Sequence, residues 1–312
     1  MNMHIAAVDQ SECFYQIPPV SNEEQKRYWP EAVGCKEGKR GIRVISVTSG
    51  KGGVGKSNVV ANLAMAMTRL GSKVLIIDAD LGLGNINVLL GLRPAHTLND
   101  VFSGEKSLAE IIIAGPGGIK LIPAGSGTQK YTRLSQEERL RLLNELDDLE
   151  EDFDTIIIDT ESGISDNVVY FTSSSQEIIL VVSPEPPSIT DCYALIKLLA
   201  TNHGERHFKV LVNMAHDSDE ALKTYYRLAS VVGRFLDISL DYLGCVLRDE
   251  RLIASVKRQK AVYELYPDSA AARCFGTLAR RISQTPSRVS LKGNIQFMFR
   301  KFFRNPLELR YI

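Results

Sequence analysis

The sequence predicts an α/β fold, with a mostly parallel sheet of seven or eight strands covered by helices on both faces. Three observations carry this. Short, wholly apolar runs rich in β-branched residues recur along the 312-residue chain, as strands buried on both faces require. Helical patterns separate most of these runs, which is the alternation that parallel crossovers need. A glycine-rich turn follows the first run and leads straight into the first helical pattern.

The first strand is Val44-Ile45-Ser46-Val47, and the helix beyond the turn covers residues 56–69. A second strand, residues 74–78, follows Gly71. Further strands are read at 119–123, 155–159, 177–183, 209–213 and 242–246, and helices at 136–149, 189–201, 218–231 and 270–282. No internal repeat is evident. Residues 1–40 lack sustained periodicity and hold Pro18, Pro19 and Pro30, so they read as an N-terminal extension with room for one short helix near 6–15. The core domain then spans 41–285, with a linker and C-terminal helix in 286–312.

Composition excludes several classes. Thirty-seven basic and thirty-seven acidic residues give zero net charge, which argues against a uniformly cationic nucleic-acid coat. No stretch of eighteen uninterrupted apolar residues marks a membrane span. The N-terminus lacks a basic leader and carries Asp9 and Glu12 early, unlike a secretory signal. Cys13, Cys35, Cys192, Cys245 and Cys274 form no C-x-x-C pair, so neither a disulfide framework nor a structural zinc site is predicted. The reading is a soluble, intracellular protein. Its charge is uneven, however: residues 145–154 hold seven acids and no base, and residues 271–312 hold nine Lys or Arg against Glu308 alone.

Gly50-Lys51-Gly52-Gly53-Val54-Gly55-Lys56-Ser57 fits the P-loop pattern GxxxxGK[ST] between a strand and a helix. Its backbone N–H groups and the helix N-terminus suit phosphate oxygens. Lys56 would reach the β- and γ-phosphates, and Ser57 would give Mg²⁺ a hydroxyl. Lys51 is a second loop cation that neutralises transition-state charge or is simply solvated. Asp78-Ala79-Asp80 and Asp159-Thr160-Glu161-Ser162-Gly163 each follow a strand. Carboxylates there are helix caps or, with the P-loop, switch segments that serve Mg²⁺ and water. The guanine-reading N-K-x-D is missing, so adenine is the predicted base. Asn213 either contacts it or caps a turn.

Gly50 to Ser57 with its early lysine, followed by Asp78-Ala79-Asp80-Leu81-Gly82-Leu83-Gly84-Asn85, resembles the deviant Walker A class of MinD/ParA-like ATPases. Gly115-Pro116-Gly117-Gly118, Ser188-Ile189-Thr190-Asp191, Asn213-Met214-Ala215-His216 and Lys260-Ala261-Val262-Tyr263-Glu264 are similar to the flagellar-number regulators called FlhG, FleN or YlxH. The likeness covers residues 42–305. It implies a P-loop NTPase fold, ATP and Mg²⁺ as cofactors, and an ATP-dependent homodimer in which Lys51 acts across the interface. Asp80 would position water, Asp78 would shape the first switch with a further role near the metal, and Asp159 would reach Mg²⁺ through water. Gly163 would sense the γ-phosphate. Asn58 would border the nucleotide, with Asn213, Leu247, Arg248 and Asp249 along the adenine. Glu161 and Leu247 stand where this family often has proline. Only Asp9-Gln10-Ser11 remains of the family's GTPase-activating motif, with Phe14-Tyr15 in the later pair.

On a helix, Ile295, Met298, Phe299, Phe302 and Phe303 share one side, while Gln296, Arg300, Lys301 and Arg304 hold much of the other. That face suits an anionic bilayer. The same stripe could instead pack on the core. Together these features predict an ATP-hydrolysing dimerisation switch in the bacterial cytoplasm, peripheral and reversible at the inner membrane face. The resemblance implies control of flagellar number or placement through an FlhF-type GTPase, a flagellar transcriptional activator or a C-ring protein. A MinD-like division regulator, a ParA-like partition ATPase on DNA and a non-hydrolysing scaffold are the competing readings; the aromatic stripe favours lipid over DNA.

Overall fold

The computed structural model describes residues 42–125, 133–149 and 153–286. The N-terminal extension expected at 1–40, with Asp9 and Gln10, and the C-terminal helix expected to carry the membrane-binding residues Ile295 to Arg304, lie outside these residues. The chain runs β1 (Arg43–Ser49), α1 (Lys56–Arg69), β2 (Val74–Ala79), then short helices α2 (Ile86–Leu89), α3 (Leu98–Ser103) and α4 (Leu108–Ile111). It continues through β3 (Ile113–Ala114), β4 (Lys120–Ile122), α5 (Gln136–Asp147), β5 (Thr155–Ser162), α6 (Asp166–Ser173), β6 (Glu177–Val182) and α7 (Pro186–His203). The last elements are β7 (His207–Ala215), α8 (Ser218–Phe235), β8 (Ser239–Leu247), α9 (Glu250–Lys257), α10 (Val262–Leu265) and α11 (Ala270–Gln284).

Eight strands form one sheet in the order β3-β4-β2-β5-β1-β6-β7-β8. Every pairing is parallel except the two-residue edge β3 on β4. All residues of β1, β2 and β6 are buried, because helices cover both faces. The period of two along β1 sends Ile45 and Val47 toward α1 and α11, and Val44 into the core with α5 and α6. A third cluster under α7 and α8 takes Ile178, Leu180 and Val182 of β6. Among the described residues, no helix is long and apolar enough to cross a membrane.

Local chemistry sets the helix starts. Ser135, Ser165, Asp217, Asp249 and Ser269 cap α5, α6, α8, α9 and α11 through their side chains. The helix read at 189–201 begins three residues earlier, at Pro186. Proline in the first turn loses only an N–H that has no helical partner there. The acidic stretch also has structural work: Glu145 accepts the Leu108 N–H at 2.8 Å and Asp154 the Lys73 N–H at 2.7 Å.

At the opposite end of the sheet from the glycine-rich turn, Arg43 is buried against Glu177, and donates to the Ile282 carbonyl of α11. Glu177 also takes Lys209 Nζ at 2.5 Å. One carboxylate therefore ties β1, β6 and β7 together. Removing one member of a buried ion pair strands the remaining charge. Glu177→Ala is expected to lower stability by about 3 kcal/mol, a fall of roughly 6–12 °C in Tm for a domain of this size. Thermal unfolding of both proteins checks this.

Candidate functional site: a phosphate cradle and an adjoining cavity

The cradle sits where β1 ends and α1 begins. Gly55 caps α1 with φ 87° and offers no side-chain bond, so the first-turn N–H groups remain available to an anion. Two close approaches dictate glycine in this loop. A Cβ at Gly55 would fall 2.4 Å from Asn213 Nδ2, and one at Gly50 would fall 2.2 Å from the Asp191 carbonyl. Asn213 Nδ2 donates to the Val54 carbonyl at 2.8 Å. The asparagine therefore holds the phosphate loop, a role that neither sequence reading of it included.

Lys56 is buried and its Nζ donates to Ser162 Oγ at the end of β5. Burial lowers its pKa, against the opposing pull of Asp159, Asp80 and Glu161. Asp159 is buried with no hydrogen-bond partner for either carboxylate oxygen. Burial pushes its pKa up to about 7, against Lys56 and the nearby Ser57 hydroxyl. Mg²⁺ prefers hard oxygen ligands and retains water. An unpartnered carboxylate beside a serine hydroxyl at the phosphate cradle is a donor set that fits it.

Asp78 is also buried, and its pKa is raised by burial and by neighbouring Asp159. Its oxygens accept the N–H groups of Asp80 and Ile86, each at 3.2 Å. The carboxylate thus shapes the segment after β2. Asp80 accepts the Leu83 N–H at 3.0 Å and lies within electrostatic reach of Lys56, Asp159 and Glu161. The Gly163 N–H is occupied, donating to the Ser49 carbonyl at 2.9 Å.

Lys51 ends elsewhere. It pairs with Glu185 on the exposed side of the loop, while Lys56 ends inside beside Ser162. Glu185 is not among the residues the sequence singles out, although it follows β6 just as Asp80 follows β2. Glu161, expected within the Asp159–Gly163 segment and at a position where the family often has proline, has partners of its own. It is half-buried, accepts the Ser165 hydroxyl, and has its pKa raised chiefly by burial.

A cavity of about 490 Å³ adjoins the cradle. Asn58, Asn213, Leu247, Arg248 and Asp249, all predicted from the sequence, line it. The Asp249 carboxylate is already engaged, accepting the N–H groups of Arg251 at 2.8 Å and Ala271 at 2.9 Å. Ser183, Met214, Leu252 and Ile253 also line it and were not foreseen; their positions come from β6, β7 and α9 converging, which no local motif announces.

The AAA-domain family matches residues 42–209. The chain is 44% identical over 265 residues to the antiactivator FleN of Pseudomonas aeruginosa, covering 85% of this chain and 95% of that protein. It is 33% identical to the flagellum site-determining protein YlxH of Helicobacter pylori, covering 78% and 82% respectively. Among solved structures, the MinD cell division protein of Aquifex aeolicus superposes with a TM-score of 0.65 at 25% identity, over 80% of this chain and 99% of that one. The MinC:MinD complex from the same organism gives 0.63 at 27%, over 81% and 100%. A cradle built on an early second lysine, an eight-stranded sheet of the MinD kind and these relatives together place the chain in the MinD/ParA-type P-loop ATPases, within the FleN/YlxH group.

Proposed function

We propose that this chain is an ATP-hydrolysing dimerisation switch that regulates flagellar number or placement. The observation that carries the reading is the division of labour between two lysines of one loop. Lys56 points into its own cradle, whereas Lys51 is held at the surface by Glu185. An exposed ion pair contributes about 0–1 kcal/mol, so a triphosphate on a facing subunit competes for Lys51 with ease. The YlxH and FleN relatives, named for flagellum site determination and antiactivation, support the biological direction.

In this reading the backbone of residues 50–57 and Lys56 bind the phosphates of ATP, with Ser57 and, through water, Asp159 holding Mg²⁺. When bound, the metal supplies charge neutralisation at the β- and γ-phosphates. Asp80 orients the attacking water, and Lys51 of a second copy offsets charge on the transferred group. The Gly163 N–H leaves the Ser49 carbonyl to register the γ-phosphate. Asn213, Leu247, Arg248 and Asp249 border the adenine.

The output is protein contact: an FlhF-type GTPase, a flagellar transcriptional activator or a C-ring component. Residues 41–285 form the ATPase domain, and residues 286–312 return the dimer reversibly to the anionic inner face of the cytoplasmic membrane. DNA is a poor fit, since aromatic residues dominate the apolar side of that segment.

Asp80→Ala is expected to retain ATP, to accumulate dimer by size-exclusion chromatography, and to turn over ATP about a hundred-fold more slowly. Lys56→Ala loses nucleotide instead. Equal turnover in wild type and Asp80→Ala would remove the switch. Co-sedimentation with anionic vesicles should be strong with ATP and weak with ADP, and Phe299→Asp with Phe302→Asp should abolish it. Equal pelleting in both nucleotide states would argue against a reversible anchor.

A further inference from the structure

Met214 sits in the cavity in a backbone conformation that calls for an explanation. Its φ of 61° is left-handed, shared among the described non-glycine residues only with Gln259. Long side chains seldom adopt it. The β7–β8 register shifts between Asn213 and Ala215, which makes Met214 the extra residue of a bulge. In an unbroken strand, Asn213 and Met214 would project to opposite faces of the sheet. A bulge re-aims a side chain, and here both residues line the same cavity.

Their tasks differ. Asn213 is buried and holds the loop through the Val54 carbonyl. Met214 is 43% exposed, and its Cε lies 3.3 Å from where a Cβ at Gly55 would stand. A thioether is thus displayed at the edge of the phosphate cradle, in a cavity whose other walls include Leu252 and Ile253. A second observation points to a ligand in the same place. Ser183 lines the cavity, is only 3% exposed, and its hydroxyl oxygen has no hydrogen-bond partner.

We propose that Met214 is a recognition platform for the face of the nucleotide's purine ring, set in position by the β7 bulge. This rests on the nucleotide reading above and deepens it. Thioether sulfur packs favourably against aromatic rings, and its flexible stem adapts to a flat ligand. The phosphates are held by the loop, which Asn213 clamps, and the face of the base by the residue that follows that clamp.

The test is calorimetric titration of the full chain with Mg²⁺–ADP and, separately, with Mg²⁺–pyrophosphate. Met214→Gly accepts the left-handed backbone freely, and Met214→Asn, which also tolerates it, serves as a second variant. Both should weaken ADP by about three- to ten-fold and leave pyrophosphate binding unchanged. Met214→Leu keeps most of the apolar surface and should stay within about two-fold of wild type. Undiminished ADP affinity in the glycine and asparagine variants, with wild type binding normally, would overturn the proposal. So would a matching loss of pyrophosphate, because Met214 would then merely support the loop. A wild-type chain that binds neither ligand refutes the nucleotide reading itself, and the platform with it.

Discussion

At the carboxyl ends of β1, β2 and β5, a lysine and two carboxylates are held out of water with fewer partners than they can use. Lys56, Asp78 and Asp159 are all buried. Strand register makes this unavoidable: Asp78 and Asp159 are direct partners on adjacent parallel strands, and Val47 of β1 pairs with Asp159 on the other side. Burial raises the pKa of both acids, with Asp159 adding to the rise at Asp78 and Asp80 to the rise at Asp159. A single lysine does not balance such a site. A phosphate chain accompanied by a divalent cation would supply the missing charges of both signs, and the glycine loop is shaped to admit it.

Much else in the fold serves to hold that end of the sheet rigid. Gly50 packs against the α7 backbone and Gly55 against Asn213, so the loop is fixed from two sides while its N–H groups stay free. The opposite end is held by Arg43, Glu177 and Lys209 across three strands and by the last turn of α11. The site is thus built on elements that cannot shift independently, which is the condition for preorganised electrostatics. The segments after β2 and β5 are each tied down by hydrogen bonds to the backbone. Asp78 organises the first through two backbone bonds, and the Gly163 N–H ties the second to the start of the loop.

The central sheet was legible because its strands are buried on both faces and therefore written as plain apolar runs. The cradle was legible because phosphate binding imposes glycine and lysine at fixed spacing. Short elements escaped. The helices α2, α3, α4, α6, α9 and α10 span four to eight residues, too few turns for a periodic stripe to stand out. β3 is two residues long and antiparallel, with no pattern of its own. In the site, Asp80 and Asp159 could be found by the rule that ligands gather at strand carboxyl ends, and the same rule applied to β6 would have found Glu185. Met214 could not be found this way: its direction depends on a bulge, and a one-residue offset in register leaves no trace in composition.

The central claim is that Lys51 completes the site of a second copy rather than its own. It is tested most directly by mixing two inactive variants, Lys51→Ala and Asp80→Ala, and measuring ATP turnover with Mg²⁺ and anionic vesicles. In a mixed dimer, the Lys51→Ala subunit keeps its own Asp80 and receives Lys51 from its neighbour. The mixture should therefore hydrolyse ATP well above the sum of the separate variants. A mixture no faster than that sum, with mixed dimers demonstrated by pull-down, would contradict the account.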